Sequence, residues 1–355
     1  MRFESDLKLD FDDVLIRPKR STIESRKDVS LERSFKFLHS DKEWSGFPFM
    51  AANMDSSGTF EMAWKLSEYK MVTCLHKFYS LDEYEEFFKE FDRPDYVAYS
   101  LGIKDEDFEK LKALLDKGLG DKFSFVVLDV PNGYLDRFIK KVKELRELCS
   151  NHIIVAGNVV TNEMTEQLLI EGADIVKVGI GSGAACTTRL KTGVGYPQLS
   201  SIVECADAAH GISFEPGRYG LVISDGGITH PSCAAKAFCG GADFVMAGSV
   251  FAGYDQSGGR VVERDGKKYK EHYGSSSFKA QKRHYNEVKD YRASEGRSTL
   301  VPYKGDIDFF IKDIMGSIRS TATYIGARRI KEFPKRATFL QVTRQLNRSF
   351  EKYED

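Results

Sequence analysis

The sequence predicts a single (β/α)8 barrel, and three observations carry that prediction. Short apolar runs recur along the chain, amphipathic stretches separate them, and polar or glycine-rich clusters close almost every run. Continuous apolar strands alternating with helices describe a parallel sheet covered on both faces. Eight such units within roughly 200 residues fit a closed barrel better than an open doubly wound sheet.

The runs fall at residues 47–55 (FPFMAANMD), 71–77 (MVTCLHK), 95–102 (DYVAYSLG), 123–130 (FSFVVLDV) and 152–159 (HIIVAGNV). They continue at 173–181 (ADIVKVGIG), 219–227 (YGLVISDGG) and 242–249 (ADFVMAGS). The helical stretches between them cover 59–69, 81–91, 105–117, 135–149, 161–171, 198–210 and 231–239, with a last helix at 307–324. Residues 1–45 form a leading arm containing FDDVLIRPKRSTIESR. Residues 253–305 form a long polar insertion after the eighth strand, with a hairpin turn at Asp265-Gly266. An insertion of that length in a compact domain reads as a lid or binding loop. Tyr269, Tyr273, Tyr285 and Tyr291 give it something to pack with. The basic tail, 325–355, reads as a surface segment.

Bulk properties exclude several function classes. Among 355 residues, Lys+Arg 52 against Asp+Glu 53 gives a net charge of -1, so neither nucleic acid nor an anionic membrane is an expected partner. Six cysteines are scattered without CxxC pairs, which argues against a zinc site or a disulfide framework and for a reducing compartment. MRFESDLKLDFDDV has no apolar signal core, so a cytoplasmic location is expected.

The chemistry concentrates in residues 177–198, KVGIGSGAACTTRLKTGVGYPQ. Gly179, Gly181 and Gly183 let the backbone approach a ligand or ion. Cys186, flanked by Thr187, Thr188 and Arg189, is placed as a nucleophile would be. The alternative is a small buried thiol behaving as a hydrophobe. The other strand ends supply Asn53 and Asp55, His76 and Lys77, Asp129 with Asn132, Gly157 with Asn158, Asp225-Gly226-Gly227, and Gly248-Ser249. In a barrel, that face carries the active site.

These residues also carry a family resemblance. VKVGIGSGAACTTRLKTGVGYPQ, ISDGG, GGADFVMAGS, FDDVLIRPKRS, AANMD and AGNVVT resemble, in order, segments of the IMP dehydrogenase / GMP reductase family. Within it the chain is similar to the reductase branch. No regulatory CBS pair fits between the second and third strands, and YRASEG at 291–296 sets Glu295 where dehydrogenases carry Gln. The sequence departs from the family at Pro131, Ser182, Ser275, Ala322 and ITHPS (228–232).

The resemblance implies reductive deamination of GMP by NADPH, giving IMP, ammonia and NADP through a covalent thioimidate on Cys186. Thr188 and Glu295 would move protons. Asp225, Gly226, Gly227, Gly248, Ser249, Tyr273, Arg292, Ser294 and Gly296 would hold the nucleotide. Ser25, Arg26, Lys77, Asp129, Asn132, Ile180, Gly181, Ser320 and Thr321 would hold the cofactor, which no GxGxxG motif accommodates in a Rossmann manner. Gly181, Gly183, Cys186 and Arg189 would form a potassium site, and the implied assembly is a homotetramer. Two other readings stay open: an IMP dehydrogenase without CBS domains, making XMP with NAD, and a non-catalytic purine-nucleotide sensor.

Overall fold

Eight parallel strands close on themselves in chain order. They are β1 (Phe49–Ala51), β2 (Val72–Cys74), β3 (Val97–Leu101), β4 (Phe125–Asp129), β5 (Ile153–Val159), β6 (Ile175–Val178), β7 (Leu221–Asp225) and β8 (Phe244–Ala247). Ala247 on β8 pairs with Ala51 on β1, which completes the ring. The computed structural model describes residues 3–274, 277–285 and 295–343, without the side chains of residues 281, 284 and 285.

The helices follow the strands as α1 (Phe60–Ser67), α2 (Leu81–Glu90), α3 (Asp105–Asp116), α4 (Asp136–Leu148), α5 (Asn162–Ile170), α6 (Gln198–Gly211), α7 (Pro231–Cys239) and α8 (Asp308–Ile325). Local signals set their starts. Ser80 accepts from the Glu83 amide at 3.2 Å while the Glu83 carboxylate accepts from the Ser80 amide at 2.6 Å, a reciprocal cap opening α2. Thr59 caps α1 through the Met62 amide. Pro231 occupies the first turn of α7, where its missing N–H costs nothing. A single helix-containing connection joins β2 to β3, so no further domain lies between them.

Two apolar layers result. Leu66, Phe88, Leu111, Phe138, Leu168 and Ile202 belong to the layer between strands and helices. Met50, Val72, Ala98, Val127, Val155, Ile175, Ile223 and Met246 fill the barrel interior. The latter cluster also contains Phe35, Phe37 and Trp44, from the leading arm. There, Arg33–Lys36 and Glu43–Gly46 form an antiparallel hairpin. Phe35 stacks on Phe244 with centroids 4.8 Å apart, and Trp44 packs against Phe244 and Phe125. The arm is thus partly a plug that closes the amino-terminal end of the barrel. Its Trp44 indole N–H donates to the Asp95 carbonyl at 2.8 Å, leaving no buried donor unmet on that ring.

Two peripheral segments differ from the sequence-based picture. The tail does not simply lie on the surface: Ile330 and Phe333 are buried, and Phe339–Gln341 pairs antiparallel with Val14–Ile16. Its many basic residues conceal an apolar anchor. The insertion contains the expected hairpin, with Asp265 and Gly266 both at positive φ as a tight two-residue turn needs. It adds a third strand, Ser298–Pro302, paired with Lys267–Tyr273, and a helix, Phe278–Tyr285.

Trp44→Ala should lower the unfolding free energy by about 3–5 kcal/mol, the usual cost of emptying a large aromatic site. Urea denaturation would check this, and a loss near zero would show that the hairpin does not plug the barrel.

Candidate active site

The carboxyl ends of the strands open onto one cleft. Its lining includes Asn53 and Met54 after β1, Asp129 on β4, Asn158 on β5, Lys177 on β6, Asp225 to Gly227 at β7, and Gly248-Ser249 after β8. The loop from Gly179 to Thr188 forms one wall, and His272, Gly274, Glu295 and Gly296 from the insertion form another.

Cys186, Thr188 and Glu295 make a continuous hydrogen-bonded chain. The Cys186 thiol donates to Thr188 Oγ1 at 3.1 Å, and the Thr188 hydroxyl donates to Glu295 Oε2 at 2.6 Å. Thr188 and Glu295 are 107 residues apart in sequence. Backbone pairing brings them together: the Thr187 amide donates to the Glu295 carbonyl, and the Arg297 amide donates to the Ala185 carbonyl, both at 2.9 Å. A thiol joined through a hydroxyl to a carboxylate can pass its proton away as the sulfur attacks.

Exposure sets Cys186 apart from the other cysteines. It is half-buried, whereas Cys74, Cys149, Cys205, Cys233 and Cys239 are buried. Burial pushes the Cys74, Cys149 and Cys239 thiols up to about 12 and Cys205 up to about 11. Those four stay protonated at neutral pH and behave as small hydrophobes.

The cleft floor is an ion-pair triad. Lys177, buried inside β6, places Nζ 2.7 Å from Asp129 Oδ1 and 3.2 Å from Asp225 Oδ2. Burial opposes the ammonium charge, but the two carboxylates outweigh it and hold the Lys177 pKa above its ordinary value. Burial likewise opposes the Asp129 carboxylate, and Lys177 more than compensates, so its pKa sits below the usual range. Asn158 Nδ2 donates to Asp225 Oδ2 at 2.8 Å, and Asn53 Nδ2 donates to Asp129 Oδ2 at 3.0 Å. Both carboxylates are therefore fixed in position as acceptors. Gly226 follows with φ +99°, and a Cβ there would lie 2.4 Å from Ser182 Oγ, so the turn needs glycine.

The structure gathers most of the residues singled out from sequence. Cys186, Thr188, Glu295, Gly296, Asp225, Gly226, Gly227, Gly248, Ser249, Asp129, Ile180, Gly181 and Gly183 all line the cleft. Others lie apart from it. The Tyr273 hydroxyl donates to Asp55 Oδ2 at 2.8 Å and accepts from Arg283 Nη1 at 2.6 Å. Burial, reinforced by Asp55, pushes the Tyr273 phenol up to about 12. Lys77 Nζ donates to both oxygens of Asp107, and Asn132 Oδ1 accepts from the Tyr134 amide. Ser25 caps a short turn containing the exposed Arg26. Ser320 and Thr321 bond back to carbonyls of their own helix, α8. Arg189 donates to Asp10 Oδ2 and to the Tyr196 carbonyl. Arg292 and Ser294 lie outside the described residues, as does Ser275.

Sequence reasoning left Lys177, Asn158 and His272 without roles in the site. A lysine inside the apolar run IVKVGIG was the available signal for Lys177, because a buried ammonium requires acidic partners. His272 offered none.

A (β/α)8 barrel with a cysteine-lined cleft at the carboxyl end of its strands is the class these features define. The model of the IMP dehydrogenase / GMP reductase domain matches residues 8–349, and the chain belongs to that family. It is 53% identical over 352 residues to a GMP reductase of Shigella boydii serotype 4 (strain Sb227), covering 99% of each chain. GMP reductases of Escherichia coli O157:H7 and of Escherichia coli (strain K12 / DH10B) match at the same identity and coverage.

Iodoacetamide added to the native protein should alkylate Cys186 well before the other five thiols, as peptide mass mapping would show. Prior or equal labelling of another cysteine would contradict the exposure pattern described here.

Proposed function

We propose that the chain catalyses the NADPH-dependent reductive deamination of GMP to IMP and ammonia. The observation that carries this reading is the Cys186–Thr188–Glu295 chain of hydrogen bonds at the cleft wall. The reductase names of relatives that match the chain end to end support it.

The residues suit the chemistry. Replacing the 2-amino group of guanine by hydrogen needs a nucleophile at purine carbon 2. The Cys186 sulfur forms a bond to that carbon while its proton moves through Thr188 to Glu295. The carbon–nitrogen bond then breaks, and the amine leaves with a proton returned along the same path. What remains is a thioimidate joining Cys186 to the purine. NADPH, when bound, supplies the hydride that adds to carbon 2, after which the thiolate departs. In total, GMP, NADPH and two protons give IMP, NADP and ammonium.

Asp225, fixed by Lys177 and Asn158, would accept from the ribose hydroxyls. Gly226, Gly227, Gly248 and Ser249 would bring backbone donors to the phosphate, at the late-strand position where barrels bind phosphates. Arg292, Ser294 and Gly296 are assigned to the base.

Asp129, fixed by Lys177 and Asn53, lines the cleft together with Ile180 and Gly181, an arrangement that fits the nicotinamide end of the cofactor. Lys77 and Asn132 extend that side. Ser25 and Arg26 sit on a turn that packs against α8, which also bears Ser320 and Thr321. We assign those four to the adenosine end of a neighbouring subunit's cofactor, in a homotetramer. Leu15 and Leu340, exposed and directly paired, offer apolar surface for such an assembly. Carbonyls of Gly181, Gly183 and Cys186 suit a potassium ion, a hard cation that takes oxygen donors. Arg189 could join them only through its carbonyl, because its guanidinium has no lone pair to give. No helix among the described residues is long and apolar enough to cross a membrane, and we place the enzyme in the cytosol.

The test follows reduced-nicotinamide absorbance and ammonia together. GMP with NADPH in potassium buffer should consume NADPH and release ammonia in equal amounts. NADH formation from IMP and NAD, without the first reaction, would move the chain to dehydrogenase chemistry. Cys186→Ala should reduce turnover by at least about 10³-fold while GMP still binds, as loss of a covalent nucleophile does. Glu295→Gln should slow ammonia release more than hydride transfer, and equal losses in both would make Glu295 structural.

A further inference from the structure

His272 is a buried polar side chain that the mechanism above does not use. It lies on the strand Lys267–Tyr273, is 3% exposed, and lines the cleft with Met54, Gly248 and Ser249. Its Nδ1 is 2.9 Å from Ser56 Oγ, and Ser56 is itself buried. Its Nε2 has no hydrogen-bond partner among the described residues. An unpaired nitrogen at this depth is costly unless a ligand completes it.

The position indicates which ligand. Ser56 follows β1, and β1 pairs with β8, whose end runs directly into Gly248-Ser249. Through Ser56 and Met54, His272 therefore reaches the side of the cleft that carries Gly248-Ser249, where the nucleotide phosphate is assigned. We infer that His272 is a phosphate ligand of the nucleotide, donating from Nε2–H to a phosphate oxygen while the Ser56 hydroxyl donates to Nδ1 and fixes the tautomer. The inference rests on the functional reading above for the identity of the nucleotide, and on the orphaned nitrogen for the contact.

The ionisation state agrees with this role. Burial, and secondarily Lys304, hold the imidazole pKa below its ordinary value. The ring is then neutral at pH 7, with one hydrogen shared between two nitrogens. A serine hydroxyl donating to Nδ1 puts that hydrogen on Nε2. Ser56 in this scheme is a positioning residue.

The experiment compares a nucleotide with its nucleoside. Affinities for GMP, guanosine and ribose 5-phosphate are measured by calorimetry on the full-length protein, with steady-state kinetics alongside. His272→Phe should weaken GMP and ribose 5-phosphate by about 10- to 100-fold, the range for a lost hydrogen bond to a charged group. Guanosine affinity should stay within about twofold, because the base and the ribose are untouched, and the kinetic loss should fall on kcat/KM for GMP. His272→Gln keeps an N–H donor and should recover part of the loss, which separates the contact from any packing defect. Equal weakening of GMP and guanosine, or unchanged GMP affinity in His272→Phe, would overturn the assignment. Failure of the wild type to turn over GMP would instead remove the functional reading, while the phosphate-against-nucleoside comparison would still decide the role of His272.

Discussion

Two backbone hydrogen bonds hold the chemistry of this protein together. Through them the segment Glu295–Arg297 is laid beside Ala185–Thr187 as a short antiparallel pair. Neither segment is a full strand, and the pairing is what brings a carboxylate from the insertion within 2.6 Å of a hydroxyl on the β6 loop. Without it Cys186 would keep its hydrogen bond to Thr188, and Thr188 would lose its bond to the Glu295 carboxylate. The barrel supplies a rigid rim, and the proposed proton path requires the insertion to dock against one loop. Main-chain bonds suit that task, because they fix register without committing further side chains.

Beneath that wall, Lys177 does a different kind of work. Two carboxylates facing one cleft would repel each other and resist burial if left alone. A buried ammonium between them makes both acceptable, and the two asparagines then set their orientation. Asp129 and Asp225 can thus serve different ligands from one fixed charge cluster. Removing Lys177 would leave uncompensated charge, the circumstance in which buried ion pairs matter most.

Much of this was legible in the sequence, for identifiable reasons. The barrel strands are mostly apolar runs separated by amphipathic stretches, so the alternation needed no tertiary knowledge. Cys186 announced itself through its glycines. Glu295 did not, since a carboxylate in a polar insertion looks solvated until its partner is known; the family resemblance carried it. The tail misled because Lys331, Lys335 and Arg336 dominate its composition while Ile330 and Phe333 do its packing. His272 was invisible, because nothing in KEHYG says which side of a strand faces a cleft. Of the residues assigned to the base, Gly296 lines the cleft, and Arg292 and Ser294 lie outside the described residues.

The plug made by Phe35, Phe37 and Trp44 has a consequence for biogenesis. These rings leave the ribosome early, yet Phe244, on which two of them pack, is synthesised some two hundred residues later. At ordinary elongation rates of about 5–20 residues per second, that gap is on the order of ten seconds or more. During that interval Phe37 and Trp44 have Phe125 in the chain already made, but Phe35 and Trp44 lack the Phe244 ring that completes the plug. The last strand to emerge both closes the ring and completes the seal at its base, so the plug cannot finish packing before the barrel closes.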